Sequence, residues 1–101
     1  MTETPPILEK AKVNLETSQI LWSELQRFFA SGSAIVVSPE LDLVEVAYQF
    51  SMDNKALVEQ WLISQQIGPV SDQQAIDWLE QQANVWAVVV KPWILVQIIS
   101  T

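Results

Sequence analysis

Hydrophobic residues fall into two regimes along this chain. From about residue 6 to residue 82 they recur mainly at three- and four-residue intervals, the spacing that lines up side chains on one stripe of a helix. From Val85 to Ile99 the sequence reads VWAVVVKPWILVQII, a nearly unbroken apolar run rich in β-branched residues. That is the composition of strands covered on both faces, and the rest of the chain is organised around it.

Caps bound the helical stretches. Residues 6–17 carry Leu8, Ala11 and Leu15 on one stripe behind Thr4 and Pro5, a cap with proline at the helix start, and residues 1–4 read as a frayed end. Residues 21–30 place Leu21, Leu25, Phe28 and Phe29 inward, and Gly32 is positioned to end that helix. One helix over 6–31 would be ~39 Å long at about 1.5 Å per residue, too long for a domain of this size. The polar Thr17, Ser18 and Gln19 therefore mark a break. Residues 34–37, AIVV, bounded by Gly32 and Pro39, read as a short buried strand.

Asp42 followed by Glu45 matches a capping box, and Leu43, Val46, Ala47 and Phe50 predict a helix over 43–52. The alternation across Leu41, Leu43, Glu45 and Ala47 also fits a strand. A further helix covers 54–65, with Asp53 as cap, Leu57, Val58, Trp61 and Leu62 as buried stripe, and Gly68 and Pro69 as terminators. Ser71 and Gln74 form a cleaner capping box for a helix to about residue 82, with Ala75, Trp78 and Leu79 on its apolar side and Asp72 favouring its dipole.

The final run cannot be one straight strand, which would measure ~50 Å at about 3.3 Å per residue. Lys91, Pro92 and Trp93 are the place to turn. Two antiparallel strands, 85–90 and 94–99, are the preferred reading, although no glycine or asparagine supplies the positive φ of a tight hairpin; a sharply bent, bulged strand is the alternative. Trp86, Val88 and Val90 would lie on one face and Val85, Ala87 and Val89 on the other, so both faces need cover. The expected architecture is α+β, a small, mostly antiparallel sheet of about three strands packed with about five short helices, in a single domain over residues 1–101. A second subunit is expected to supply some of the cover.

Composition narrows the chemistry. The 101 residues are 50% hydrophobic and 17% charged, with a net charge of −7 and five scattered bases, Lys10, Lys12, Arg27, Lys55 and Lys91. Such a surface repels phosphate backbones and anionic lipid, so neither nucleic acid nor a membrane is an expected partner. The first residues lack the basic-then-apolar pattern of a secretory signal. The final run is shorter than the ~18 apolar residues of a membrane helix, and Lys91, Pro92 and Gln97 interrupt it. With no cysteine to form disulfides, a cytoplasmic protein is expected.

Histidine and cysteine are both absent, which excludes histidine-based triads, thiol nucleophiles and the usual zinc sites. Gly32 and Gly68 are the only glycines, too few for a phosphate-cradling loop. No catalytic residue can be assigned, and no cofactor is expected. Glu40, Asp42, Glu45 and Asp53 make the densest acidic segment. A solvated helix start is its simplest explanation, with magnesium held by Glu40, Asp42 and Glu45 as the alternative.

Five tryptophans are many for this length. Trp61 and Trp78 belong on buried helical stripes, whereas Trp93, beside a proline at a turn, is the one expected to be exposed and to anchor a partner, with Trp86 and Lys91 near it in sequence. Lys91 would otherwise guard a strand end against edge pairing.

The segments ETSQILWSELQRFFASG (residues 16–32), PELDLVEVA (39–47) and WAVVVKPWILVQ (86–97) resemble a small bacterial family known as domain of unknown function 2288. The resemblance covers about residues 15–97 and implies no chemistry, so it assigns no site residue. The leading functional expectation is a non-enzymatic cytoplasmic protein-interaction or assembly module, acting on a protein partner or on further copies of itself. The alternatives are a small metal-assisted enzyme using the acidic segment, and a ligand-binding regulator with an aromatic-lined pocket between helices and sheet.

Overall fold

The computed structural model describes residues 17–99. The expected frayed end and the helix over 6–17 lie outside the described residues, save Thr17, which belongs to no regular element. The strands are β1 (Ser18–Leu21), β2 (Ala34–Val37), β3 (Ile67–Pro69), β4 (Asn84–Val90) and β5 (Trp93–Ile98). The helices are α1 (Gln26–Ala30), preceded by a 3-10 turn at Trp22–Leu25, then α2 (Leu43–Ser51), α3 (Lys55–Ile63) and α4 (Asp72–Glu80).

The apolar run folds back on itself as expected. β4 and β5 pair antiparallel from Val85 opposite Ile98 to Val90 opposite Trp93, which rules out the bent-strand alternative. Lys91 and Pro92 form the two-residue connection, joined by a cis peptide bond. Among the described residues, positive φ is found at Gly32, Asp53, Gln65 and Gln82, so the turn closes without one.

The sheet is larger than the expected three strands and is mixed, with order β1-β4-β5-β2-β3. β2 runs parallel to β5, and the other neighbours are antiparallel. Two short edge strands escaped the sequence reading. β1 was hidden in the polar break, because an edge strand needs backbone partners and little side-chain burial; only its Ile20 is even half-buried. Its presence corrects the helix expected over 21–30, which forms only after the 3-10 turn and leaves Leu21 exposed. β3 contains Gly68 and Pro69, read as helix terminators, and pairs with β2 from Ile67 opposite Val37 to Pro69 opposite Ile35. Proline is tolerated there because the strand is at the edge.

Helices cover both faces of the sheet, each over its own core. On one face, Leu43, Val46 and Ala47 of α2 and Trp61 of α3 pack on Ile35, Val37, Ile67, Val88 and Leu95. On the other, Trp22, Leu25, Ala75 and Trp78 pack on Ala34, Val85, Ala87, Ile94 and Val96. Each strand splits its side chains between the two cores, as its period of two requires. The chain's own helices thus supply most of the cover that had been expected in part from a second subunit. Exposed apolar side chains remain at both ends of the sheet, Val89 and Trp93 beside the β4–β5 turn and Leu21 and Ile98 at the opposite end.

α2 ends within a residue of its expected limit, so helix wins over strand there. Asp42 is its N-cap, accepting a hydrogen bond from the Val44 N–H at 3.0 Å. Ser71 and Gln74 form the expected reciprocal capping box on α4. The cap of α3 is Asn54 rather than Asp53, its side chain accepting from the Leu57 N–H at 3.3 Å. Asp53 instead takes a left-handed conformation, φ 55°, that closes α2. Gln65 and Gln82 do the same after α3 and α4, and in each case the next residue's N–H reaches back five residues: Asn54 to the Gln49 carbonyl, Gln66 to Trp61 and Ala83 to Trp78. This is the Schellman closure that Gly32 makes after α1, where the Ser33 N–H donates to the Phe28 carbonyl.

Candidate functional site

The most exposed tryptophan described is Trp93, with 37% of its surface open. It is the first residue of β5 and lies on the α2–α3 face of the sheet, two positions before the fully buried Leu95. Phe50 of α2, Val58 and Leu62 of α3, and Val90, Pro92 and Trp93 of the hairpin line an open hollow of about 360 Å³. Leu62, expected on the buried stripe of α3, is 45% exposed and forms part of this wall. Its helix carries Leu57, Val58, Trp61 and Leu62 over a wider arc than one core contact can cover.

Polar groups surround the apolar floor. Asp53, Asn54, Lys55, Glu59 and Lys91 all line the hollow. Asn54 is committed to structure, capping α3 through its carbonyl oxygen and donating from Nδ2 to Gln49 Oε1 at 2.8 Å. The Lys55 ammonium lies 4.0 Å from Asp53, with both side chains largely in solvent, a pairing of little energetic weight.

The structure brings Lys91 and Trp93 together but separates both from Trp86. Trp86 sits on the same sheet face, four residues before Val90, or ~13 Å at about 3.3 Å per residue. It is half-buried against the α2–α3 core, pairs across the strands with Gln97, and lines a different hollow with Thr17, Asp42 and Val44. β4 and β5 are interior strands, but β1 flanks β4 only from Asn84 to Ala87, so Lys91 follows the part of β4 that β1 does not reach. It projects from the turn.

The acidic segment does not converge. Asp42 caps the start of α2 while Asp53 lies past its end, so a nine-residue helix, ~13 Å at about 1.5 Å per residue, separates them. Glu45 Oε1 accepts from Gln49 Nε2 at 3.2 Å, and Glu40 is exposed on the preceding loop. Among the described residues, no group of three or more acidic, histidine or cysteine side chains is placed to hold a metal ion. No helix among them is long and apolar enough to cross a membrane.

Sequence did not place Lys55, Glu59 or Phe50 near Trp93, since they acquire a relation to it only when the hairpin folds beside α3. The one signal available was the excess width of the α3 stripe.

The same arrangement of elements is found in a solved protein. The solution NMR structure of PA1075 from Pseudomonas aeruginosa is similar to this chain, with 40% identity, a TM-score of 0.81, and coverage of 100% of this chain and 93% of that one. Among curated proteins none matches. The model of the family described as "Protein of unknown function (DUF2288)" matches residues 9–98, nearly the whole chain including every described element, and the chain accordingly belongs to the DUF2288 family.

Proposed function

We propose that this chain is a non-enzymatic, cytoplasmic protein-interaction or assembly module that seats part of a partner in the hollow at the β4–β5 turn, with Trp93 as the anchor. The observation that carries this reading is the contrast between Trp93 and the remaining tryptophans. Trp22, Trp61 and Trp78 are buried in the two cores and Trp86 packs against one of them, whereas Trp93 stands at the rim of an open, apolar-floored hollow. A large, stiff aromatic beside an apolar depression, ringed by charged groups, has the makeup of an interface hot spot. The hollow is also where an aromatic-lined ligand pocket had been expected. Its openness favours a protruding side chain of another protein over a small molecule, which typically needs most of its surface enclosed.

The test is affinity purification from the native host at natural abundance with wild-type and Trp93→Ala baits. Partners held by the wild type and lost from Trp93→Ala are expected. An unchanged partner set would remove the hollow as the interaction site.

A further inference from the structure

We propose that the occupant of this hollow is a second copy of the same chain, docked about a two-fold axis so that Lys91 of each copy meets Glu59 of the other around the paired Trp93 rings. The proposal rests on the reading of the hollow as an interaction site and adds the identity of the partner.

Charge distribution points to a self-complementary contact. Of the three bases among the described residues, Arg27, Lys55 and Lys91, two line the hollow, balanced there by Asp53 and Glu59. The other described residues carry seven acids against one base. Two identical chains, each with a net charge of −7, therefore repel one another over most orientations and least where these lining residues face each other. A two-fold interface demands more than neutrality, because the same patch must present both halves of every contact. This patch does so. Lys91 comes from the sheet wall and Glu59 from the helix wall, while Lys55 and Asp53 already pair within the chain. Rotating one copy by a half-turn sets sheet wall against helix wall, bringing opposite signs together on both sides of an apolar centre formed by Trp93 and the exposed Leu62.

The experiment is sedimentation equilibrium of the full chain and its variants, with circular dichroism to verify folding. Wild type is expected to be dimeric at about 100 µM, and Trp93→Ala to weaken association about tenfold or more, as loss of a central aromatic does. Lys91→Glu and Glu59→Lys each place like charges together and are expected to be monomeric where the wild type is dimeric. An equimolar mixture of these two variants is expected to form a one-to-one heterodimer, since both cross-axis contacts are then restored. A wild type that stays monomeric at about 1 mM overturns the proposal, because self-association that weak lies beyond any ordinary cellular concentration. So does a mixture that fails to associate. Either result, with Trp93-dependent partners still captured from the host, removes only the second copy; Trp93-independent capture removes the interaction site itself.

Discussion

The indole of Trp22, fully buried, donates its Nε1–H to the backbone carbonyl of Ala75 at 3.1 Å across 53 residues of sequence. The bond joins the 3-10 turn to α4 and completes a stack in which Trp78 and Phe29 meet the Trp22 ring edge-on, at centroid distances of 5.1 and 5.9 Å. Trp22→Phe keeps an aromatic but removes the second donor to a carbonyl that retains its helical bond from Leu79, and leaves a void where the indole packed. A loss of about 1–3 kcal/mol in urea unfolding is expected, from the lost hydrogen bond together with the cavity.

Gln97 performs a comparable task on the other face. Its Nε2 donates to the Ser38 and Leu41 carbonyls at 2.9 and 2.7 Å, tying the loop before α2 to β5. Gln97→Leu removes both bonds at a half-buried position, with an expected cost of about 1–2 kcal/mol. Faster amide exchange at the start of α2 should accompany it, and unchanged exchange there would mean the loop is held by other contacts.

The caps set the roles of two polar residues. Ser71→Ala and Asp42→Ala should each cost about 1 kcal/mol, the normal value of an N-cap. For Asp42 that loss should be the same with and without millimolar magnesium in a thermal shift assay. A magnesium-dependent difference would revive the acidic segment as a metal site.

Three helices close on a residue that pays a steric penalty for its left-handed conformation. Gln65 and Gln82, both exposed with φ of 61° and 49°, are the ones to change. Gln65→Gly and Gln82→Gly should each stabilise the fold by about 0.5–1 kcal/mol, the relief of Cβ strain exceeding the added entropy of the unfolded chain. Asp53, the third, lines the hollow and is better left in place.

Trp93 and Trp86 should separate in stability measurements. Trp86 packs on a core and Trp93 is more than a third exposed, so Trp86→Ala should lower the unfolding midpoint clearly more than Trp93→Ala. Equal losses would indicate that Trp93 serves packing more than association.

How much of this could be read from the chain depends on the range of the interactions involved. β2, the β4–β5 hairpin, α2 with its Asp42 cap, and the Ser71–Gln74 capping box were legible because a cap, a β-branched run or a helical stripe is encoded within a few neighbouring residues, whereas the box expected of Asp42 and Glu45 forms only its Asp42 half. Asp42, Ser71 and Gln74 show it: each makes its bond two or three positions away. The left-handed residue that closes each helix was legible only at Gly32. Asp53, Gln65 and Gln82 enter the same conformation because the strands or helices that follow require the chain to turn there, and nothing in those residue types announces it.

Strand membership at the edges and the site itself are decided by distant partners. Ser18 and Gln19 form a strand only because β4 offers unpaired backbone groups opposite them, and Ile67, Gly68 and Pro69 only because β2 does. The exposure of Trp93 was foreseeable from its place beside Pro92. Its neighbours were not: Phe50, Lys55, Glu59 and Leu62 come to it from two helices, through the packing of α2 and α3 on a sheet whose strand order no local pattern contains. Local sequence thus determined the central strands, the longer helices and the two apolar faces. Tertiary structure alone decided which residues line the hollow beside Trp93, because that depends on where two helices stop covering strands remote from them in the chain.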